Sequence, residues 1–136
     1  MSNKETHPDE GLHAAVVCNK PELIDELLAE GADVNTRMTN PDEAVELNQV
    51  TALYMAARFG KIECLKRLLA AGADVNASDI WGRTALMYAK TAKQTKVLID
   101  AGADINAKDK YEKTALMYAK NAEQTKVLID AGADVN

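Results

Sequence analysis

Few residues of this chain have the type and spacing needed for covalent or metal chemistry. The histidines are His7 and His13, and the cysteines are Cys18 and Cys64. A structural zinc site draws its His and Cys ligands from closely spaced pairs, and no His here stands at such a spacing from a Cys. The serines, Ser2 and Ser78, fall in the N-terminal tail and in a loop, outside any nucleophile motif. Neither G-x-x-x-x-G-K nor G-x-G-x-x-G occurs, so no loop is built to cradle a phosphate. Carboxylates are plentiful, but no pair is marked out as acid and base. These residues predict no catalytic set, no metal and no cofactor, and the two cysteines read as buried, reduced thiols. What remains is contact chemistry. Trp81 is the single tryptophan and lies in Asp79-Ile80-Trp81-Gly82, which reads as a tight reversal with Gly where φ is positive. A tryptophan at a loop tip either meets a partner or packs on its own surroundings, such as Tyr111 thirty residues on, and both readings stand.

The elements that carry this loop recur along the chain. The phrase G-A-D-[VI]-N occurs at 31–35, 72–76, 102–106 and 132–136, and T-A-L at 51–53, 84–86 and 114–116. Residues 84–106 and 114–136 differ only at Thr91/Asn121, Lys93/Glu123 and Ile105/Val135. Each T-A-L phrase opens a short helix, with Thr51, Thr84 and Thr114 suited to accept a free backbone N–H as N-caps. A second helix follows, with apolar residues at helical spacing such as Leu65, Leu68 and Leu69. Gly31, Gly72, Gly102 and Gly132 stop it, and the Asp and Asn beyond favour a turn. One such helix–turn–helix–loop unit cannot bury its own apolar face, whereas a stack of them can.

The quoted phrases carry a family pattern. DIWGRTALMYA and TALYMAARFGKIECLKRLLAAGADVN resemble the ankyrin repeat, over about residues 10–136. The resemblance implies an all-α solenoid of helix-turn-helix units with protruding hairpin loops, arranged as a tail (1–8) and repeats at 9–35, 36–76, 77–106 and 107–136. His13 matches the family's helix histidine, which implies a structural bond to backbone. The first helices and hairpins would form a concave face that holds a partner protein. Its variable positions here are Tyr54, Arg58, Ile80, Trp81, Arg83, Met87, Lys110, Tyr111, Lys113 and Met117. Met87 and Met117 replace the family histidine, where half-buried packing competes with contact.

Departures from the pattern are informative. Repeat 1 lacks the T-A dipeptide, and its Pro21 suits the first turn of a helix. From Asn35 to Thr51 is 16 positions, against 8 in the later repeats, so a loop carries an insertion in which Val45 and Leu47 alternate with polar residues. From Leu53 to Gly72 is 19 positions but from Leu86 to Gly102 only 16. About one helical turn is therefore missing, which predicts shorter first helices and Gly-free turns near Thr91 and Asn121. Glu112 replaces the hairpin Gly82 and predicts either mild strain or a different turn. Repeat 4 keeps Ala115, Leu116, Val127, Leu128 and Ile129 with no following unit.

Charge narrows the partner class. The net charge is −5, but residues 1–50 carry 11 acidic and 3 basic side chains while the remainder is mildly basic. That balance argues against nucleic acid. No apolar run is long enough to span a membrane, and MSNKETHPDEG has no apolar core of a signal peptide, so the expected location is the cytoplasm. The expected function is non-enzymatic protein binding, including an inhibitor or immunity-type role in a bacterium, with the acidic half complementing a basic target. The alternatives are a fragment or self-associating segment of a longer ankyrin protein, joined through repeat 4, and a secreted bacterial effector.

Overall fold

The computed structural model describes residues 8–37 and 50–135. Seven α-helices and one 3-10 turn occur among them. They are α1 (Pro8–Val17), α2 (Pro21–Ala29), α3 (Ala52–Arg58), α4 (Ile62–Ala70), α5 (Ala85–Tyr88), α6 (Ala92–Asp100), the 3-10 turn Ala115–Tyr118 and α7 (Ala122–Asp130). The described residues contain no strand beyond the isolated antiparallel bridges Arg37–Thr51 and Ser78–Thr84 at the hairpin bases. The sequence placed residue 8 in a tail, but α1 already includes Pro8. The Val45/Leu47 insertion lies outside the described residues.

The helices form two layers, as the repeat pattern requires. Along one layer α1 packs on α3, α3 on α5 and α5 on the 3-10 turn; along the other, α2 packs on α4 and α6 on α7. Leu12, Leu53, Leu65, Leu68 and Leu98 are fully buried between the layers. Each such side chain contributes about 1.5–3 kcal/mol. Pro21 stands at the start of α2, where its missing N–H costs nothing.

The three-residue deletion falls where the residue count put it. Helix α3 has 7 residues, whereas α5 and the 3-10 turn have 4 each. Of the three expected threonine caps, only Thr51 accepts a backbone N–H, that of Tyr54 at 3.3 Å. Thr84 and Thr114 make no such bond. The single-turn helices close instead through backbone bonds, Met87 N–H to the Thr84 carbonyl at 3.1 Å and Met117 N–H to the Thr114 carbonyl at 3.0 Å. A reciprocal cap replaces the glycine turn of repeat 2. Thr91 Oγ1 accepts from Gln94 N–H (3.2 Å), and Gln94 Oε1 accepts from Lys90 N–H (3.0 Å). Asn121 and Gln124 repeat the arrangement at 2.9 and 2.8 Å, so the Thr-to-Asn change keeps the cap. Gln124 Nε2 also reaches back to the Ala89 carbonyl (2.7 Å) and Thr95 Oγ1 (3.1 Å). Gln94 Nε2, one repeat earlier, is buried with no partner among the described residues, because Leu65 stands where Thr95 would be.

Polar ties run from repeat to repeat at the loop end. The Asn that closes each of the first three GAD-[VI]-N phrases does more than favour a turn. Asn35 Oδ1 accepts the Asp74 N–H, Asn76 Oδ1 that of Asp104 (both 2.7 Å), and Asn106 Oδ1 that of Asp134 (2.8 Å). Asp33, Asp74 and Asp104 meanwhile close their own turns, as Asp74 Oδ1 does on Asn76 N–H at 3.0 Å. Repeats 1 and 2 are further joined by His13 Nε2 with the Val50 carbonyl (2.8 Å, buried), the structural role the family match implies.

The two later hairpins are superimposable in their bonding. Asp79 Oδ1 accepts from Trp81 and Arg83 N–H (both 2.9 Å), and Asp109 Oδ1 from Tyr111 (2.8 Å) and Lys113 N–H (3.0 Å). Gly82 lies at φ 79° and Glu112 at φ 64°. The turn type is therefore unchanged, and Glu112 is held in the left-handed region that costs an L-residue roughly 1–2 kcal/mol. Its ion pair with Lys108 is 3.8 Å long and exposed, so it returns little. Glu112→Gly should raise the urea midpoint, stabilising the chain by about 0.5–1 kcal/mol after the entropy of the added glycine. An unchanged or lower midpoint would contradict the strain.

Candidate interaction face

The first helices and the hairpins together line one face, and Tyr88 is its hub. The Arg58 guanidinium lies 4.7 Å over the Tyr88 ring, and Arg83 Nη1 donates to the Tyr88 hydroxyl at 3.0 Å. Tyr54 meets Tyr88 edge to face at 5.2 Å. Arg83 is also placed between the two hairpin aromatics, its guanidinium 5.4 Å from the Trp81 ring and 5.5 Å from the Tyr111 ring. Its Nε stands 3.7 Å from Asp109 Oδ2, an ion pair too long to be a hydrogen bond. The Lys113 ammonium lies 5.8 Å over the Tyr118 ring.

Buried carboxylates fix this array. Asp79 Oδ2 accepts the Tyr54 hydroxyl at 2.6 Å, joining repeat 2 to the hairpin of repeat 3. Asp109 Oδ2 accepts the Tyr118 hydroxyl within repeat 4. Burial pushes the Asp109 carboxyl up, but the bonds from Tyr118 and from backbone N–H groups, with the Arg83 charge, outweigh it and hold the group below the usual carboxylate range. Burial, followed by the bond to Asp79, pushes the Tyr54 phenol well above its ordinary value. Asp109 thus stays ionised, and the two aspartates anchor the hydroxyls of Tyr54 and Tyr118.

The ten residues named from sequence divide by exposure. Ile80, Lys110, Tyr111, Lys113 and Met117 are exposed, and Arg58, Trp81 and Arg83 are half-buried. Two are corrected. Tyr54 is 1% exposed, because its hydroxyl turns inward to Asp79. Met87 is 3% exposed while its repeat-4 counterpart Met117 is 63% exposed, since repeat 4 covers the first and none of the described residues covers the second. A partner meets neither Tyr54 nor Met87 at the surface. Trp81 is half-buried, packed within its own chain against Arg83, which also meets Tyr111.

Residues missed from the sequence matter as much. Tyr88, Tyr118, Lys90 and Lys120 occupy the M-Y-A-K phrase on the same face, and the signal was their identical recurrence thirty residues apart. Burial of the Lys120 ammonium, reinforced by the charge of Lys90, lowers its pKa below the ordinary lysine range. In repeat 4, Ala115 and Leu128 are buried and Leu116 and Val127 half-buried, leaving Ile129 exposed among the apolar residues expected to lack cover.

Groups with reactive potential do not converge. Among the described residues no cluster of three His, Cys, Asp or Glu could hold a metal. Cys64 is buried and its thiol is pushed up by burial, away from the reactive thiolate. Cys18 is exposed, contrary to expectation, because it sits in the turn just past α1. No helix of the described residues is long and apolar enough to cross a membrane.

Comparison with known proteins agrees with the two-layer stack and its hairpins. No curated protein matches the chain. A family model described as ankyrin repeats, in three copies, matches residues 12–109 and again residues 53–136. Ankyrin repeats are generally protein–protein interaction modules. With both layers, the hairpins and these matches covering nearly all of the described residues, the chain belongs to the ankyrin-repeat family.

Proposed function

We propose that this chain is a non-enzymatic module that holds a partner protein against the face lined by its first helices and hairpins. The observation that carries the reading is the array on Tyr88 and Tyr118: aromatic and cationic side chains, the types enriched at interface hot spots, with Tyr88 packed on the Asp79-bound Tyr54 and Tyr118 bound to the buried Asp109. Ile80, Lys110 and Tyr111 extend it to the hairpin tips. Side chains already held in place lose little entropy on binding, which favours affinity. The finer reading is an inhibitor or immunity-type protein that neutralises what it holds.

A second reading is favoured by the uncovered face of repeat 4. Met117 (63% exposed) and Ile129 (46% exposed) lie where the next unit of a solenoid would pack. A second copy of the chain could be seated there. Static light scattering over a wide concentration range should then show mass rising with concentration, with Met117→Lys abolishing the rise. A constant monomer mass in the unsubstituted chain would remove this reading.

For the leading reading, affinity capture from native lysate should enrich a partner protein with the unsubstituted chain, and Tyr111→Ala should reduce its recovery by about fivefold, the scale of roughly 1 kcal/mol at a contact residue. Co-expression with the captured protein would show whether holding it also neutralises it. Capture of no protein, together with a reproducible enzymatic turnover, would sink the proposal.

A further inference from the structure

The cations of the interaction face outnumber the anions available to them. Arg58, Lys90, Lys113 and Lys120 form no ion pair among the described residues, and Arg83 has only the long contact to Asp109. Asp79 and Asp109, the carboxylates within the array, are buried and occupied by tyrosine hydroxyls and backbone N–H groups. The five cations form one connected strip. Arg58 and Arg83 both touch Tyr88, Lys120 lies within reach of the Lys90 charge, and Lys113 lies over the Tyr118 that shares Asp109 with Arg83. Lys90 is held in place, its stem running past Gly60 so closely that a Cβ there would stand 3.3 Å from Lys90 Cδ. The contrast with the second helices is informative. Lys66 and Lys126 each lie near a carboxylate one turn away, and Arg67 pairs with Asp25 at 2.5 Å. Three second-helix cations thus have a carboxylate beside them, whereas among the described residues the first-helix strip has only the long Arg83–Asp109 contact.

We infer that the strip Arg58–Lys90–Lys120–Arg83–Lys113 receives an acidic segment of the partner protein, whose carboxylates sit between cations that form no close ion pair among the described residues. The inference rests on the protein-binding reading above and supplies the chemistry of the partner. A carboxylate between Lys90 and Lys120 would relieve their repulsion, so binding gains from a cost already present in the free chain. Aspartate or glutamate in an extended segment suits the strip better than nucleic acid does. Stacking of bases needs open aromatic faces. The Tyr88 ring already carries Arg58 on one face, and the Tyr118 ring carries Lys113. The chain as a whole is also anionic, at −5, which opposes a long polyanion extending past the strip.

Fluorescence anisotropy with a fluorescein-labelled peptide of alternating Glu and Leu, long enough to cross three repeats, tests the inference on the full chain. The unsubstituted chain should bind saturably, and more weakly as salt is raised. Lys90→Glu combined with Lys120→Glu should weaken binding by about tenfold or more, while Lys96→Glu combined with Lys126→Glu, an identical charge change on the second helices, should alter it by less than about twofold. All four lysines are exposed, so both variants keep the stack, which circular dichroism verifies. Absence of saturable binding, equal loss in the two double variants, or tighter binding of a single-stranded DNA of matching length would each overturn it. If the peptide fails while affinity capture still enriches a partner, the acidic-segment inference falls and the protein-binding reading stands.

Discussion

An amide in each loop after the first depends on a side chain from the repeat before it. The N–H groups of Asp74, Asp104 and Asp134 have as partners Asn35, Asn76 and Asn106. A turn that relied on its own residues would leave these donors to water. Here each repeat completes the loop of the next, so no unit is finished alone. Apolar burial shared between layers makes the stack possible, and these directional bonds fix its register. Gln124 on Ala89 and Thr95, Tyr54 on Asp79 and His13 on Val50 extend the same dependence to the helical part of the stack.

That dependence gives the interaction face its rigidity. Asp79 and Asp109 set the hairpin turns with one carboxylate oxygen and hold a tyrosine with the other. Tyr54 in turn packs edge to face on Tyr88, the platform for Arg58 and Arg83, and Tyr118 is the platform for Lys113. The positions of the cations are thus set by structural carboxylates two bonds removed from any partner. The protein keeps like charges close together on this face, whereas Lys66, Arg67 and Lys126 on the second helices each lie beside a carboxylate. Such an arrangement is costly in the free chain and favours a partner that brings the opposite charge.

Much of the fold was legible because the repeat can be counted. The missing three residues in repeats 3 and 4 predicted a first helix shorter by about a turn, and α5 and the 3-10 turn have 4 residues against 7 in α3. The family match, likewise, was carried by phrases visible in the chain. What was not legible depends on neighbours. Met87 and Met117 have identical local sequences and opposite burial, since cover comes from the next repeat. Tyr54 read as a surface position until Asp79, 25 residues away, was seen to claim its hydroxyl. The asparagines looked like local turn formers, because nothing in one repeat shows where its side chain finds a donor. Thr84 and Thr114 read as caps, yet helices of a single turn use those N–H groups in backbone bonds.

Native-state hydrogen exchange resolved by NMR tests the ladder most directly. The Asp104 amide, whose acceptor is the Asn76 side chain, should exchange as slowly as core amides of α6 such as that of Leu98, because both open only when the repeats separate. Exchange of the Asp104 amide at the rate of an open surface loop, with Leu98 still protected, would show that the repeats are held by apolar packing alone and would contradict the account.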